Sequence, residues 1–196
     1  MRRLLVATTN QGKTREIETI LAGLDVEILT LARWPDVPPP DETGATFGEN
    51  ARAKALYYAA ATGELTVAED SGLEIDALAG APGIESARFG GAHTTYPEKF
   101  ALIYEALRHA GAPTSTARFV CAAAVVQNDS VLFETRATVE GRIAASPRGH
   151  DGFGYDPIFF YPPFGLTLAE IGARKTEVSH RGQAFRAVRA YLESRP

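Results

Sequence analysis

Apolar residues follow two rhythms along this chain, short unbroken runs and stripes spaced three or four apart, and each rhythm predicts a different kind of element. Leu4-Leu-Val-Ala-Thr8 reads as a buried strand. Thr9-Asn-Gln-Gly12 then forms a turn into a helix whose apolar positions are Ile17, Ile20, Leu21 and Leu24. Residues 26–29 give a second strand, and the proline-rich stretch 34–44 is too restrained to be helix or central strand. Thr46-Phe-Gly-Glu49 matches a capping box that opens an alanine-rich helix to about Ala61. Thr66-Val-Ala68 is an apolar run that stops in Glu69-Asp-Ser-Gly72, which predicts a strand end and a turn at Gly72. Residues 73–92, rich in glycine and alanine, read as loop with a short helical piece. Thr95-Tyr-Pro-Glu98 starts another helix, with Phe100, Ile103, Tyr104 and Leu107 as its buried stripe. Residues 117–127 and 131–140 predict two strands of a hairpin joined at Asn128-Asp129. A glycine-rich loop, 147–157, precedes the strand-like Ile158-Phe-Phe-Tyr161, and Ser179-His-Arg-Gly182 immediately precedes a last helix carrying Phe185, Val188 and Leu192. Alternating strands and helices around a hairpin give the α/β class: a mixed β-sheet covered by helices, in one domain over 1–196.

Charge and composition narrow the function. A formal net charge of −4 over 196 residues argues against a nucleic-acid polymer as partner, since binding one demands a basic surface. Cys121 is the only cysteine, so neither an internal disulfide nor a multi-cysteine metal site can form. The four histidines show no metal-ligand spacing. Met1-Arg-Arg leads into an apolar run too short for a signal peptide or membrane span, which predicts a soluble cytoplasmic protein with no membrane partner.

Three stretches carry candidate chemistry. The turn before the first helix, with Gly12-Lys13-Thr14, offers backbone N–H groups, a helix dipole and a lysine to a phosphate. It is only half of the phosphate loop G-x-x-x-x-G-K-[ST], because position 7 is Ala7. Carboxylates at Glu69 and Asp70 would lie where open α/β sheets place ligands, although an extended backbone points them to opposite faces. Asn50 and Lys54, four apart on a helix, share one face. In the third stretch, Gly152-Phe-Gly-Tyr-Asp-Pro157, glycines let the backbone approach a ligand while aromatic rings offer stacking faces. It is no dinucleotide fingerprint, for Pro157 stands at the third glycine and a strand follows.

Together Ala7-Thr-Thr-Asn-Gln-Gly-Lys13, Glu42-Thr-Gly, Phe47-Gly-Glu-Asn50 with Lys54, Ala68-Glu-Asp-Ser-Gly72, Gly80-Ala-Pro-Gly-Ile-Glu-Ser-Ala-Arg88, Gly152-Phe-Gly-Tyr-Asp-Pro157 and Ser179-His-Arg-Gly182 are similar to one family. The chain resembles the inosine triphosphate pyrophosphatases, also called Ham1-like, from Leu4 to about Leu192. The resemblance implies two lobes with the active-site cleft between them, a homodimer, and Mg²⁺-dependent hydrolysis of ITP, dITP or XTP to the monophosphate and pyrophosphate. It implies that Thr8, Thr9, Asn10, Gln11, Gly12 and Lys13 cradle the triphosphate, that Glu42 and Asp70 hold the metal, and that Asp70, with Lys54, is catalytic. Ser71, Phe153, Gly154, Tyr155, Asp156, Lys175, His180 and Arg181 would bind the nucleotide, with Arg181 donating to the 6-oxygen of the purine. Glu69-Asp70 stands where the family often has two aspartates, and Thr9 where it often has glycine.

Overall fold

The computed structural model describes residues 2–91 and 93–195. Met1, Ala92 at the end of the predicted 73–92 loop, and Pro196 lie outside the described residues. Seven strands, β1 (Arg2–Val6), β2 (Val26–Thr30), β3 (Leu65–Ile75), β4 (Thr116–Gln127), β5 (Ser130–Ile143), β6 (Phe159–Tyr161) and β7 (Leu166–Thr167), hydrogen-bond in the order β2-β1-β3-β4-β5-β6-β7. β1 runs parallel to both β2 and β3, whereas β6 is antiparallel to β5 and β7. The sheet is therefore mixed, as predicted, and among the described residues five α-helices accompany it: α1 (Gln11–Leu21), α2 (Phe47–Thr62), α3 (Tyr96–His109), α4 (Lys175–Val178) and α5 (His180–Glu193).

Contacts divide the chain into two compact units. The first comprises the segment through Ser71, Cys121–Ala137 and the segment from His180 onward; the second comprises Gly72–Val120 and Thr138–Ser179. In the first, one core gathers Leu4, Val6, Ile17, Leu21, Val67 and Phe185, and another packs Leu5, Leu29, Tyr58, Ala59 and Val126. The second unit buries Leu73, Ile75, Ile103, Leu107, Phe119 and Phe159. The predicted stripes on α1 and α3 are the faces that meet these cores, because three-and-four spacing keeps such residues on one side of a helix.

Local chemistry sets most boundaries. α2 starts where the Thr46 hydroxyl accepts the Glu49 amide at 3.1 Å and stops at Gly63, left-handed at φ 71°. The Glu49 carboxylate reaches back to the amide of Ala45 at 2.7 Å, one residue before the position a capping box predicts. In α3 the Glu98 carboxylate accepts from the Thr95 amide at 2.7 Å, closing the predicted box. Asn128, at φ 57°, turns β4 into β5.

Four expectations are corrected. β3 does not end at the acids but continues to Ile75. Gly72 makes no left-handed turn; a Cβ there would collide with the Ser86 hydroxyl and the Gly83 carbonyl, so its lack of a side chain serves a close approach. The Ser86 hydroxyl accepts the Leu73 amide at 2.9 Å and donates to Gly83 at 2.6 Å, fixing that approach. His180, Arg181 and Gly182 do not precede the last helix but form the first turn of α5. Ile158 lies in a 3₁₀ turn, Asp156–Ile158, and the strand begins at Phe159.

Candidate active site

Because β3 stays extended through its acids, consecutive side chains alternate faces, and Glu69 and Asp70 meet different partners. Asp70 faces α2. Its Oδ2 accepts from Asn50 Nδ2 at 3.0 Å, and its Oδ1 accepts from the Ser71 amide at 2.9 Å. Asn50 is itself held, its Oδ1 accepting the Gly44 amide at 2.8 Å. One turn further along α2, Lys54 donates to the Glu69 carbonyl at 3.2 Å and forms an ion pair with Glu42. The shared face predicted for Asn50 and Lys54 is thus the face that meets the acids, and Glu42, on the proline-rich loop, joins them through Lys54.

Burial pushes the Asp70 carboxyl above its ordinary value, and the nearby Glu42 carboxylate adds to the shift against the opposing pull of Lys54 and Asn50. Burial alone would lower the Lys54 ammonium, but Glu42, Glu69 and Asp70 outweigh it and hold the ammonium above its usual range. Two carboxylates crowded around one amine leave excess negative charge with hard oxygen donors. Among the described residues no three or more Asp, Glu, His or Cys side chains converge as a complete metal cage. Mg²⁺ commonly uses one or two protein carboxylates and completes its shell with water and substrate phosphates, so the pair Glu42 and Asp70 fits that ion.

On the opposite face Glu69 is 1% exposed. Its Oε1 meets Lys13 Nζ at 2.5 Å and its Oε2 lies 3.6 Å from Arg181. Burial would raise this carboxyl, yet Lys13, Arg181 and Lys54 outweigh burial and hold it well below the carboxylate range. Arg181, also buried, donates to Glu16 at 2.7 Å and to the Ser71 hydroxyl at 2.8 Å. These contacts place cations at the start of α5 without a dipole conflict, since Glu16 and Glu69 balance the guanidinium. Glu69 thereby sits apart from the Glu42–Asp70 pair. Burial and the Glu69 charge push the adjacent Cys121 thiol well up, which removes it as a nucleophile.

The turn between β1 and α1 holds Thr8 to Asn10, and Gln11, Gly12 and Lys13 open the helix itself, which starts earlier than the predicted turn through Gly12 allows. Asn10 caps α1, its Oδ1 accepting the amides of Gly12 at 2.9 Å and Lys13 at 3.1 Å. In the second unit Asp156, also buried, accepts the Phe153 amide at 2.9 Å and Lys175 Nζ at 2.6 Å. Lys175 lies 4.5 Å from the centre of the Phe153 ring, a cation–π contact. Gly152 and Gly154, at φ 76° and 69°, curl the loop, and Asp156 fills the space a Cβ on Gly152 would need. Tyr155 turns inward, donating to the Ser86 carbonyl at 2.8 Å, so its hydroxyl serves the scaffold. His180 is buried in the first turn of α5.

Sequence reasoning missed Glu16, Ser86 and Tyr96. Glu16 looked like any helix-surface acid. Tyr96 packs edge-on against Tyr155 at 5.3 Å. Only the spacing Gly80 to Arg88 hinted at Ser86.

With this geometry in view, the profile described as the Ham1 family matches residues 4–191. The chain belongs to the Ham1 family. A relative from an Exiguobacterium species, named dITP/XTP pyrophosphatase, is 47% identical over 191 residues, covering 97% of this chain and 96% of the relative. The dITP/XTP pyrophosphatase of Thermus thermophilus is 44% identical over 196 residues, covering 99% and 94%. Among solved structures, a Ham1 protein from Coxiella burnetii superposes with a TM-score of 0.92 at 38% identity, covering all of both chains. The Staphylococcus aureus Ham1 protein gives 0.86 at 34%, covering 98% of each. The Ham1 chain described here thus has its relatives' fold along essentially its whole length.

Proposed function

We propose that this Ham1-family chain hydrolyses the non-standard purine nucleoside triphosphates ITP, dITP and XTP to the monophosphate and pyrophosphate, clearing them from the nucleotide pool. The observation that carries the reading is Asp70, buried on β3 and oriented by Asn50 and the Ser71 amide beside Glu42 and Lys54. A carboxylate raised by burial is a better proton acceptor near neutral pH than an exposed one. Asp70 takes a proton from water as the water oxygen bonds to the α-phosphorus. The bond from that phosphorus to the bridging oxygen breaks, and pyrophosphate leaves. Lys54 and Lys13 offset phosphate charge, Lys13 by transferring part of its pairing from Glu69. Glu42 and Asp70 would hold Mg²⁺, which neutralises phosphate oxygens and makes phosphorus a better electrophile.

Thr8, Thr9, Asn10, Gln11 and Gly12 border the triphosphate in this reading. Ser71 is oriented toward the nucleotide by Arg181, whose donors serve Glu16, Glu69 and Ser71. Phe153 supplies a stacking face, with Gly154, Tyr155 and Asp156 shaping its loop, while Lys175 and His180 complete recognition of the base. One catalytic domain spans 1–196, acts as a homodimer and works in the cytoplasm; no helix among the described residues is long and apolar enough to cross a membrane.

The test is a panel of nucleoside triphosphates incubated with Mg²⁺ and the products separated. dITP yields dIMP and pyrophosphate under this reading; a diphosphate with orthophosphate refutes it.

A further inference from the structure

A cavity of about 670 Å³ opens in the first unit beside the β1–α1 turn, on the side facing the end of β2 and the proline-rich loop. Thr8, Thr9 and Gln11 line it, but Lys13, Glu42, Lys54, Asp70 and Ser71 do not. The cavity thus shares a wall with the loop read as the triphosphate cradle while excluding the acid and lysine chemistry. Its size is that of a small-molecule pocket.

Three features define what it would take. Trp34, Tyr58, Leu31 and Val37 supply an aromatic and apolar surface, the setting for a flat ring. Thr8, Thr9, Thr14, Thr30 and Gln11 add neutral hydrogen-bonding groups, which suit sugar hydroxyls. Arg15 is the one charged residue of the lining, and it makes no ion pair among the described residues; its Nε is tied to the Gln11 carbonyl at 3.2 Å. The lining holds no carboxylate to repel an anion. The walls are also preformed: the loop carries Pro35, Pro38 and Pro39, and Tyr57 on α2 donates to the Pro38 carbonyl at 2.9 Å.

We propose that this cavity is a second, regulatory site for a purine nucleoside monophosphate, its ring against Trp34 and its phosphate at Arg15. A monophosphate seated there touches Thr8, Thr9 and Gln11, so occupancy restrains the loop on which turnover depends. Only that regulatory half rests on the activity proposed above; binding itself does not.

Trp34 is the only tryptophan in the sequence, so its emission reports on the cavity directly. The intact protein is titrated with IMP, with excitation at the red edge where purines do not absorb, and equilibrium dialysis counts bound IMP. The expected results are a saturable emission change, two IMP per chain, and loss of one of them in Arg15→Glu with affinity at that site reduced about tenfold or more. Inosine and ribose 5-phosphate, which each lack one recognised group, bind far more weakly. In turnover, IMP inhibits dITP hydrolysis with mixed kinetics in the parent, lowering kcat as well as raising KM, and purely competitively in Arg15→Glu, which keeps its basal rate. Bound IMP wholly retained in Arg15→Glu, whether one or two per chain, or purely competitive inhibition in the parent overturns the second site. Should dITP not be hydrolysed at all, the activity reading fails while fluorescence and dialysis still decide the cavity.

Discussion

Asp70 and Glu69 are neighbours in sequence held in opposite ionisation regimes. Burial lifts Asp70 because its partners are an amide and a shared lysine. Glu69, buried more deeply, is pulled down because Lys13 and Arg181 close around it. If Asp70 activates the water, Asp70→Asn lowers kcat on the order of a hundredfold or more with the fold intact, as steady-state kinetics beside circular dichroism will show. Near-parent turnover in a folded variant would exclude that role. Glu69 governs stability instead. Its carboxyl titrates lower when folded than unfolded, so its ionised form stabilises the fold above the ordinary glutamate pKa, and that contribution is lost as pH falls toward the folded value. Glu69→Gln takes a counter-charge from buried Arg181, which keeps Glu16, and from partly buried Lys13, costing at most about 3–5 kcal/mol near neutral pH. Its stability then falls less steeply than the parent's below about pH 4. Denaturant unfolding at several pH values checks both statements, and parallel pH profiles for the two proteins would place the acid sensitivity elsewhere.

At the scale of elements, the loop after Pro147 holds one ring in a fixed place. Asp156 holds the Phe153 amide and Lys175, and Lys175 lies on the ring, so the phenyl face is positioned before any ligand arrives. Stacking is indifferent to base identity and is worth about 1–3 kcal/mol per base. If Phe153 is the stacking face, Phe153→Ala raises KM for ITP and for ATP by a similar factor, about tenfold, and leaves their ratio unchanged; a selective loss for ITP would give Phe153 a role in discrimination. Most elements were legible in the sequence because period and capping residues agree: Thr46 and Thr95 open their helices, and the stripes of α1 and α3 are buried. The run through Gly72 was not legible. A glycine after two acids and a serine has the composition of a turn, and the partner that makes it a close approach, Ser86, lies fourteen residues away. The start of α5 was missed for a similar reason. His180 and Arg181 look unfavourable at a helix N-terminus until Glu16, distant in sequence, supplies the counter-charge.

For the whole molecule, the division into two units was invisible in composition, and the reason is geometric. Three of the four divisions fall inside strands, after Ser71 in β3, after Val120 in β4 and after Ala137 in β5, and the fourth falls at Ser179 between α4 and α5, so no linker marks any of them. The site residues were legible as separate motifs, since each contains glycine, acid or lysine in a pattern that structure alone does not demand. Their pairing was not: nothing in the sequence ties Glu42 to Lys54 or Lys13 to Glu69. Assembly is tested most directly in solution. On the family resemblance, sedimentation at micromolar concentration gives a dimer, and a monomer with full activity would contradict that expectation.

The unbroken course of β3 also sets a parity rule on length change. Pairing with β1 anchors Leu65, Thr66 and Val67 to Leu4, Leu5 and Val6. Loss of one residue just beyond that anchor reverses the facing of everything downstream, carrying the aspartate under Lys13 and Arg181 and the glutamate toward α2. Every charged group would still be present, each addressed to the wrong side. Loss or gain of two residues restores the facing and shifts only the height along the strand, so odd and even changes in this segment are different kinds of lesion.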